Sequence, residues 1–268
     1  YTANLVAPTR VGDTRTLTKL AYPNKIDPAK AEAESNRYHS LDTMERIRVA
    51  QQDRLERQLG VQNLPRLRHS LNMLHTARVG GNELKMLTDV LPETLDNGNN
   101  PLKRQAQVAV AAYKAGIAIS ANLVLGGFDT HGNHDNTHYP RLQLFTEGVD
   151  FLMEEAERQG VADKMVVVMG SDFGRTPSYN AGNGKDHWSI TSMMMMGKGI
   201  PGNRVIGSTD DYHRPFTVDP LTLMDSVDGI RITPPHVHKA LRQLAGVNDS
   251  DIANQFPISE ELLPLFDV

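Results

Sequence analysis

Asp129, Thr130, His131, His134, Asp135 and His138 fall within ten residues of the stretch LVLGGFDTHGNHDNTH, which spans residues 123–138. Three of the chain's ten histidines lie there beside two carboxylates. Neutral imidazole and carboxylate oxygen together suit divalent ions such as zinc or manganese. The cluster follows an apolar run that ends in Gly126-Gly127-Phe128. Open α/β sheets hold their ligands in loops of this kind, just past the carboxyl ends of parallel strands.

Two further polar clusters could share that crevice. Gly170-Ser171-Asp172-Phe173-Gly174-Arg175-Thr176-Pro177 follows the apolar run Met165 to Met169, and Asn183-Gly184-Lys185-Asp186-His187-Trp188 precedes another apolar run. Asp129 and Asp172 would then face one another from two strand ends on the same sheet edge. The adjacent Asp186-His187 pair reads as a metal-ligand unit, or as a carboxylate that orients a base. Arg175 offers a planar fork for phosphate or sulfate oxygens. Each residue has a plainer reading as well. Asp172 could be a turn residue, His131 a hydrogen-bonded core histidine, His138 a helix cap, and His187 a packing partner of Trp188. Met193 to Met196 reads as a buried strand, because successive strand residues point to opposite faces. The other histidines read as surface or packing residues.

The elements that must position these groups follow from periodicity. Residues 1–40 carry turn formers and one short helical turn near Leu17–Leu20. Asp42 and Glu45 suggest a capping box for a helix with the stripe Leu41, Met44, Ile47, Leu55 and Leu59. Leu64, Leu67, Leu71 and Leu74 suggest a second helix, and Leu84, Leu87 and Leu91 a third that ends at Pro92. All three are expected to serve as core packing and an outer layer. After the linker Asp96 to Pro101, residues 102–115 read as an alanine-rich helix closed by Gly116. Strands are expected at 117–125, 165–169, 190–196 and 204–206, with a helix over 140–159. Asp219-Pro220 and Thr233-Pro234 should open two more helices. Continuously apolar strands that alternate with helices imply an α/β fold, a mainly parallel sheet with helices on both faces. The division expected is residues 1–100 as a helical and loop segment and 101–268 as the α/β core.

Bulk properties exclude some classes. The 268 residues carry a net charge of −4, which leaves no electrostatic footprint for nucleic acid. No apolar run is long enough to cross a bilayer. The absence of cysteine excludes disulfides and thiolate metal sites.

The blocks GFDTHGNH (127–134), GSDFGRTP (170–177), GKDHW (184–188) and GKGIPGNRVIG (197–207), in that order and spacing, resemble the bacterial DUF1501 family, a domain related to sulfatases and alkaline phosphatases. The resemblance is strong over about residues 117–247 and weaker but consistent over 1–116, including Asn4–Arg10. It implies an alkaline-phosphatase-like sheet with metal at its strand ends. Asp129 with His131 or His134, Asp172, and His187 would be the ligands. Phe173 stands where the superfamily's Asp-His pair would have a histidine, which favours one metal over two. Family members usually begin with an export signal and a strand ending in a turn that can carry a nucleophile. No segment here matches it, so the chain is expected to be the C-terminal portion of a longer protein.

The resemblance implies a metal-dependent hydrolase of phosphate or sulfate esters, periplasmic or secreted, using a divalent Zn, Mn, Ca or Mg ion. Asp186, His187 and Arg175 would do the catalytic work on a small-molecule or glycan ester. An N-terminal fragment of the same protein is the expected partner, with no nucleic acid and no membrane span. The other reading is a non-catalytic envelope or surface protein that binds an anionic glycan or protein partner in the same crevice, because fold alone does not set function.

Overall fold

The structure is a computed structural model that describes residues 14–28, 30–68, 70–72 and 81–266. The chain divides into two compact units. One comprises residues 1–124 and 148–155, and the other residues 125–147 and 156–268. The boundary expected at residue 100 falls inside the first unit.

The first unit is helical. Helix α1 (Thr14–Ala21) enlarges the short turn expected near Leu17. Helix α2 (Leu41–Val61) follows, and residues 65–68 and 70–72 are helical too. Helix α3 (Gly81–Val90) and helix α4 (Pro101–Lys114) complete it. Leu17, Leu91, Leu95 and Ala111 form its buried cluster, with Leu84, Leu87 and Val90 packed against them. The stripe Leu84–Leu87–Leu91 therefore does the work its spacing suggests. Helix α4 starts where Asn100 accepts the amide of Leu102, with proline at its first position. It stops before Gly116, whose φ of +72° suits the left-handed turn after a helix.

Helix α2 departs from expectation. None of its residues is buried, and Leu41 and Ile47 are exposed. Its cap is Ser40, which accepts from the amide of Thr43, rather than Asp42. The stripe is diluted by arginines and glutamines, and local pairs such as Glu45–Arg48 and Gln52–Glu56 hold the helix instead of a core. Leu64 and Leu67 are likewise exposed, and Leu74 lies outside the described residues.

Helix α5 (His134–Arg158) begins before the expected start at Pro140 and carries that proline inside it. His134 and His138 thus sit on a helix rather than in a loop. Pro140 cannot give the backbone bond that would close on residue 136, so the helix loses one bond of its ladder in its second turn.

In the second unit, strand β1 (Val166–Met169) pairs antiparallel with strand β4 (Met194–Gly197), with Val166 opposite Gly197 and Met169 opposite Met194. Strand β2 (Gly174–Arg175) pairs antiparallel with strand β3 (His187–Trp188), with Arg175 opposite His187. Both described sheets are two-stranded, and neither contains a parallel pair. Residues 117–125 and 204–206 carry no strand, and the run expected from Ile190 becomes a strand only at Met194. Ile119, Val124 and Val205 are exposed there, and pairing needs a neighbour that a local pattern does not supply.

Helix α6 (Pro234–Leu244) is capped as expected by Thr233, in a capping box closed by His236. Helix α7 (Asp251–Gln255) is short. Asp219 does cap a turn, accepting from the amides of Leu221 and Thr222. No helix follows it, because Leu223 turns to φ +61° and leaves the helical path. Leu223, Val237, Ala240, Leu263, Leu265 and Phe266 form the buried cluster here.

Candidate metal centre

Two loops of the second unit are zipped together by backbone bonds. The amide of Asn133 donates to Gly182 O (3.1 Å), that of His134 to Asn183 O (2.8 Å), and that of Lys185 to Thr130 O (3.0 Å). Asn133 and Asn183 both adopt left-handed φ (+49° and +53°), a conformation asparagine tolerates better than most residues. Gly184 lies so close to the backbone of His131 that any Cβ there would collide with it. Asn180 links the two sides, donating to His131 O (3.0 Å) and to Asp186 Oδ1 (3.1 Å) while accepting from the amides of Gly182 and Gly184.

This frame brings three donor atoms to one point. Asp129 Oδ1 lies 3.1 Å from His131 Nε2 and 3.5 Å from His187 Nε2. The two Nε2 atoms are 3.1 Å apart. Around an ion at about 2.0–2.1 Å from each ligand, tetrahedral donors sit about 3.3 Å from one another, so the three separations match such a face. Both nitrogen and carboxylate donors are of the type that zinc and its neighbours prefer. The three residues therefore fit a divalent ion with an open side, since all three are exposed.

Asp186 supports this group from behind. Its Oδ1 lies 2.9 Å from His131 Nδ1. A carboxylate there holds the proton on Nδ1, which leaves Nε2 with its lone pair toward the cluster. This is the familiar arrangement in which a carboxylate sets the tautomer of a metal-binding imidazole. The hydrogen bonds from His131 and Asn180 keep the Asp186 carboxyl below the usual range for aspartate. Asp129 is also held low, first by Arg175 and then by His187. Both are therefore anionic wherever the site would bind a cation.

Arg175 is largely engaged. It donates to Phe128 O (2.8 Å), Lys185 O (3.0 Å) and Asp129 Oδ1 (3.0 Å). The β2–β3 register sets this geometry by placing Arg175 opposite His187. Phe173 packs against the His187 ring at 4.0 Å between centroids, with the ring planes tilted by 34°. It shapes the site by fixing an imidazole rather than by ligating.

Two of the expected ligands lie outside the converging group. His134 is buried, and its Nδ1 is bonded to Thr130 Oγ1 at 2.6 Å. Its ring stacks on His138 at 4.4 Å, and burial lowers the pKa of both imidazoles. His134 is thus the buried packing histidine of the pair, and His131 the one that faces the cluster. Asp172 is exposed and joins no group of three donors among the described residues. The turn that carries it presents Phe173 to His187 instead. Asn180, Phe173 and Thr130 were not among the expected site residues. The turn-forming run Tyr179 to Gly184 was the available signal for Asn180.

No curated protein and no solved structure matches this sequence. A family model described as a protein of unknown function, DUF1501, matches residues 3–243, and the chain belongs to that family.

Proposed function

We propose that the protein is a metal-dependent hydrolase of phosphate or sulfate esters, built on an alkaline-phosphatase-like α/β plan and working outside the cytoplasm. The observation that carries this reading is the convergence of Asp129, His131 and His187 on one open point. A divalent ion held there would polarise an ester oxygen and favour attack on phosphorus or sulfur. His131 and His187 would hold it through Nε2 and Asp129 through Oδ1, while Asp186 keeps the His131 proton on Nδ1. Arg175 fixes Asp129, and its remaining N–H groups and positive charge favour an anionic ester. Thr130 does not serve as the nucleophile, because it is 2% exposed and its hydroxyl is bonded to His134. The attacking group is then water or another hydroxyl.

The test is metal analysis of the purified chain, with turnover of p-nitrophenyl phosphate and p-nitrophenyl sulfate before and after His187→Ala. Bound divalent metal and turnover, both lost on substitution, are expected. Protein free of divalent metal, with turnover untouched by Asp129→Ala, refutes the reading.

A second reading has its own support. Arg175 is tied to three oxygens, Phe173 replaces a ligand, and the site is open to solvent, all of which suit binding without turnover. Retention of a sulfated glycan with no hydrolysis by the metal-loaded protein would favour this envelope-protein role.

A further inference from the structure

The backbone zip that builds the metal centre builds a second cluster on the same two loops. His134 donates its amide to Asn183 O at 2.8 Å, and Asn180 donates to His131 O and Asp186 Oδ1. The chain neighbours of these two residues, Asp135 and Tyr179, are thereby brought together, and the Tyr179 hydroxyl donates to Asp135 Oδ1 at 2.7 Å. Tyr139 follows Asp135 by four residues on helix α5, so the two lie side by side on one helix face. Two tyrosines therefore flank one carboxylate. Lys185 sets its ammonium 4.9 Å from the centre of the Tyr179 ring and donates to Pro177 O at 3.2 Å. His134 meets the same ring edge-on, at 6.3 Å between centroids.

Tyr179 is thus held by three neighbours, yet it is 51% exposed, and Tyr139 is 62% exposed. A large ring that is already fixed offers contact area with little ordering left to do on binding. Polar capacity is left over beside it, since Asp135 Oδ2 and the Tyr139 hydroxyl have no hydrogen bond among the described residues. Charge then narrows the ligand. A carboxylate between tyrosines would suit an organic cation, but Lys185 already stands over Tyr179 and opposes a second positive charge there. Asp135 in turn repels a bare anion. With one acid and one ammonium, the cluster fits a neutral molecule that lays C–H groups on an aromatic face and gives hydroxyls to a carboxylate. A sugar ring has both.

We propose that Asp135, Tyr139 and Tyr179 form a saccharide subsite beside the metal centre, which takes the sugar of a sugar phosphate or sugar sulfate. The ester part of this inference rests on the hydrolase reading, whereas recognition of the sugar itself needs neither metal nor turnover.

The test strips the full chain of metal with a chelator and records saturation-transfer difference spectra with glucose, galactose, N-acetylglucosamine, cellobiose, lactose and chitobiose, with tetramethylammonium as the cationic control. Saturation of the C–H protons of at least one saccharide, and none of tetramethylammonium, is expected. Binding should weaken about 10-fold in Tyr139→Ala and in Tyr179→Ala, the scale of one lost aromatic contact with its buried area. Tyr139→Phe keeps the ring and should restore most of the loss, which a merely structural role for the hydroxyl would not allow. Tyr139 has no hydrogen-bond partner to lose, so an unchanged melting curve is expected for Tyr139→Ala and keeps the comparison valid. Failure of every saccharide to bind, binding of tetramethylammonium instead, or saccharide binding untouched by both alanine variants overturns the proposal. If p-nitrophenyl phosphate or sulfate is turned over while no saccharide binds, the subsite falls and the hydrolase stands. Saccharide binding lost in the alanine variants of a chain that turns over neither ester supports the subsite and removes the hydrolase.

Discussion

Removing the carboxylate of Asp186 should weaken metal binding without touching a ligand. Asp186 Oδ1 lies 2.9 Å from His131 Nδ1 and receives a second bond from Asn180 Nδ2 at 3.1 Å. In Asp186→Ala both bonds vanish. His131 is then free to carry its proton on either nitrogen and to rotate, and its Nε2-protonated form no longer offers Nε2 to the cluster. Loss of a carboxylate behind a metal-binding imidazole typically costs about 10- to 100-fold in metal affinity, and the alanine variant belongs at the upper end. Asp186→Asn differs in a defined way. The amide oxygen can still accept from both His131 and Asn180, so the tautomer survives and only the charge is lost, which places this variant near the lower end, about 10-fold. Competition for zinc against a chromophoric chelator measures both variants beside the native chain. Affinities for Ala and Asn within twofold of native, in a protein that does bind zinc, would refute the argument that Asp186 sets the His131 tautomer.

Gly184→Ala should be more disruptive than its size suggests, because the added methyl meets the His131 backbone. Loss of metal binding together with a lower melting temperature is expected, and a native melting curve would contradict the close approach. Leu263, 1% exposed in the core of the second unit, should cost about 2–5 kcal/mol on replacement by alanine, read from denaturant unfolding. The stacked pair His134 and His138 carries a pH prediction. Burial lowers both pKa values, so the unfolded chain takes up protons first as pH falls. Their contribution is complete above the ordinary histidine value of about 6.5 and is lost as pH drops through the lower folded values. Nuclear magnetic resonance of the imidazole C–H groups should show both midpoints below about 6.5, and a midpoint above it for either ring contradicts the stated burial.

Much of the site's chemistry is local and could be read from residue types. The helices from Gly81 to Lys114, the Thr233 cap and the glycine stops after α4 and α5 depend on short-range hydrogen bonding and φ preferences, which neighbouring residues specify. The ligand types around Asp129 and the Asp186-His187 pair are likewise visible as sequence. Choosing among them is not a local matter. His131 and His134 are three residues apart and equally plausible ligands on paper. The left-handed turn at Asn133 and the bonds from residues 133 and 134 to Gly182 and Asn183 send one ring to the cluster and the other to Thr130. Asp172 and Phe173 are adjacent, yet it is the phenyl ring that meets His187. The same holds for helix α2, whose stripe reads as core but finds nothing to cover it among the described residues. Sequence alone determined which groups could bind a cation and which turns could form. Tertiary structure decided which of them meet, because convergence to about 3 Å depends on loop pairing between residues some 50 positions apart and on the β2–β3 register that sets Arg175 opposite His187, and no local preference encodes that.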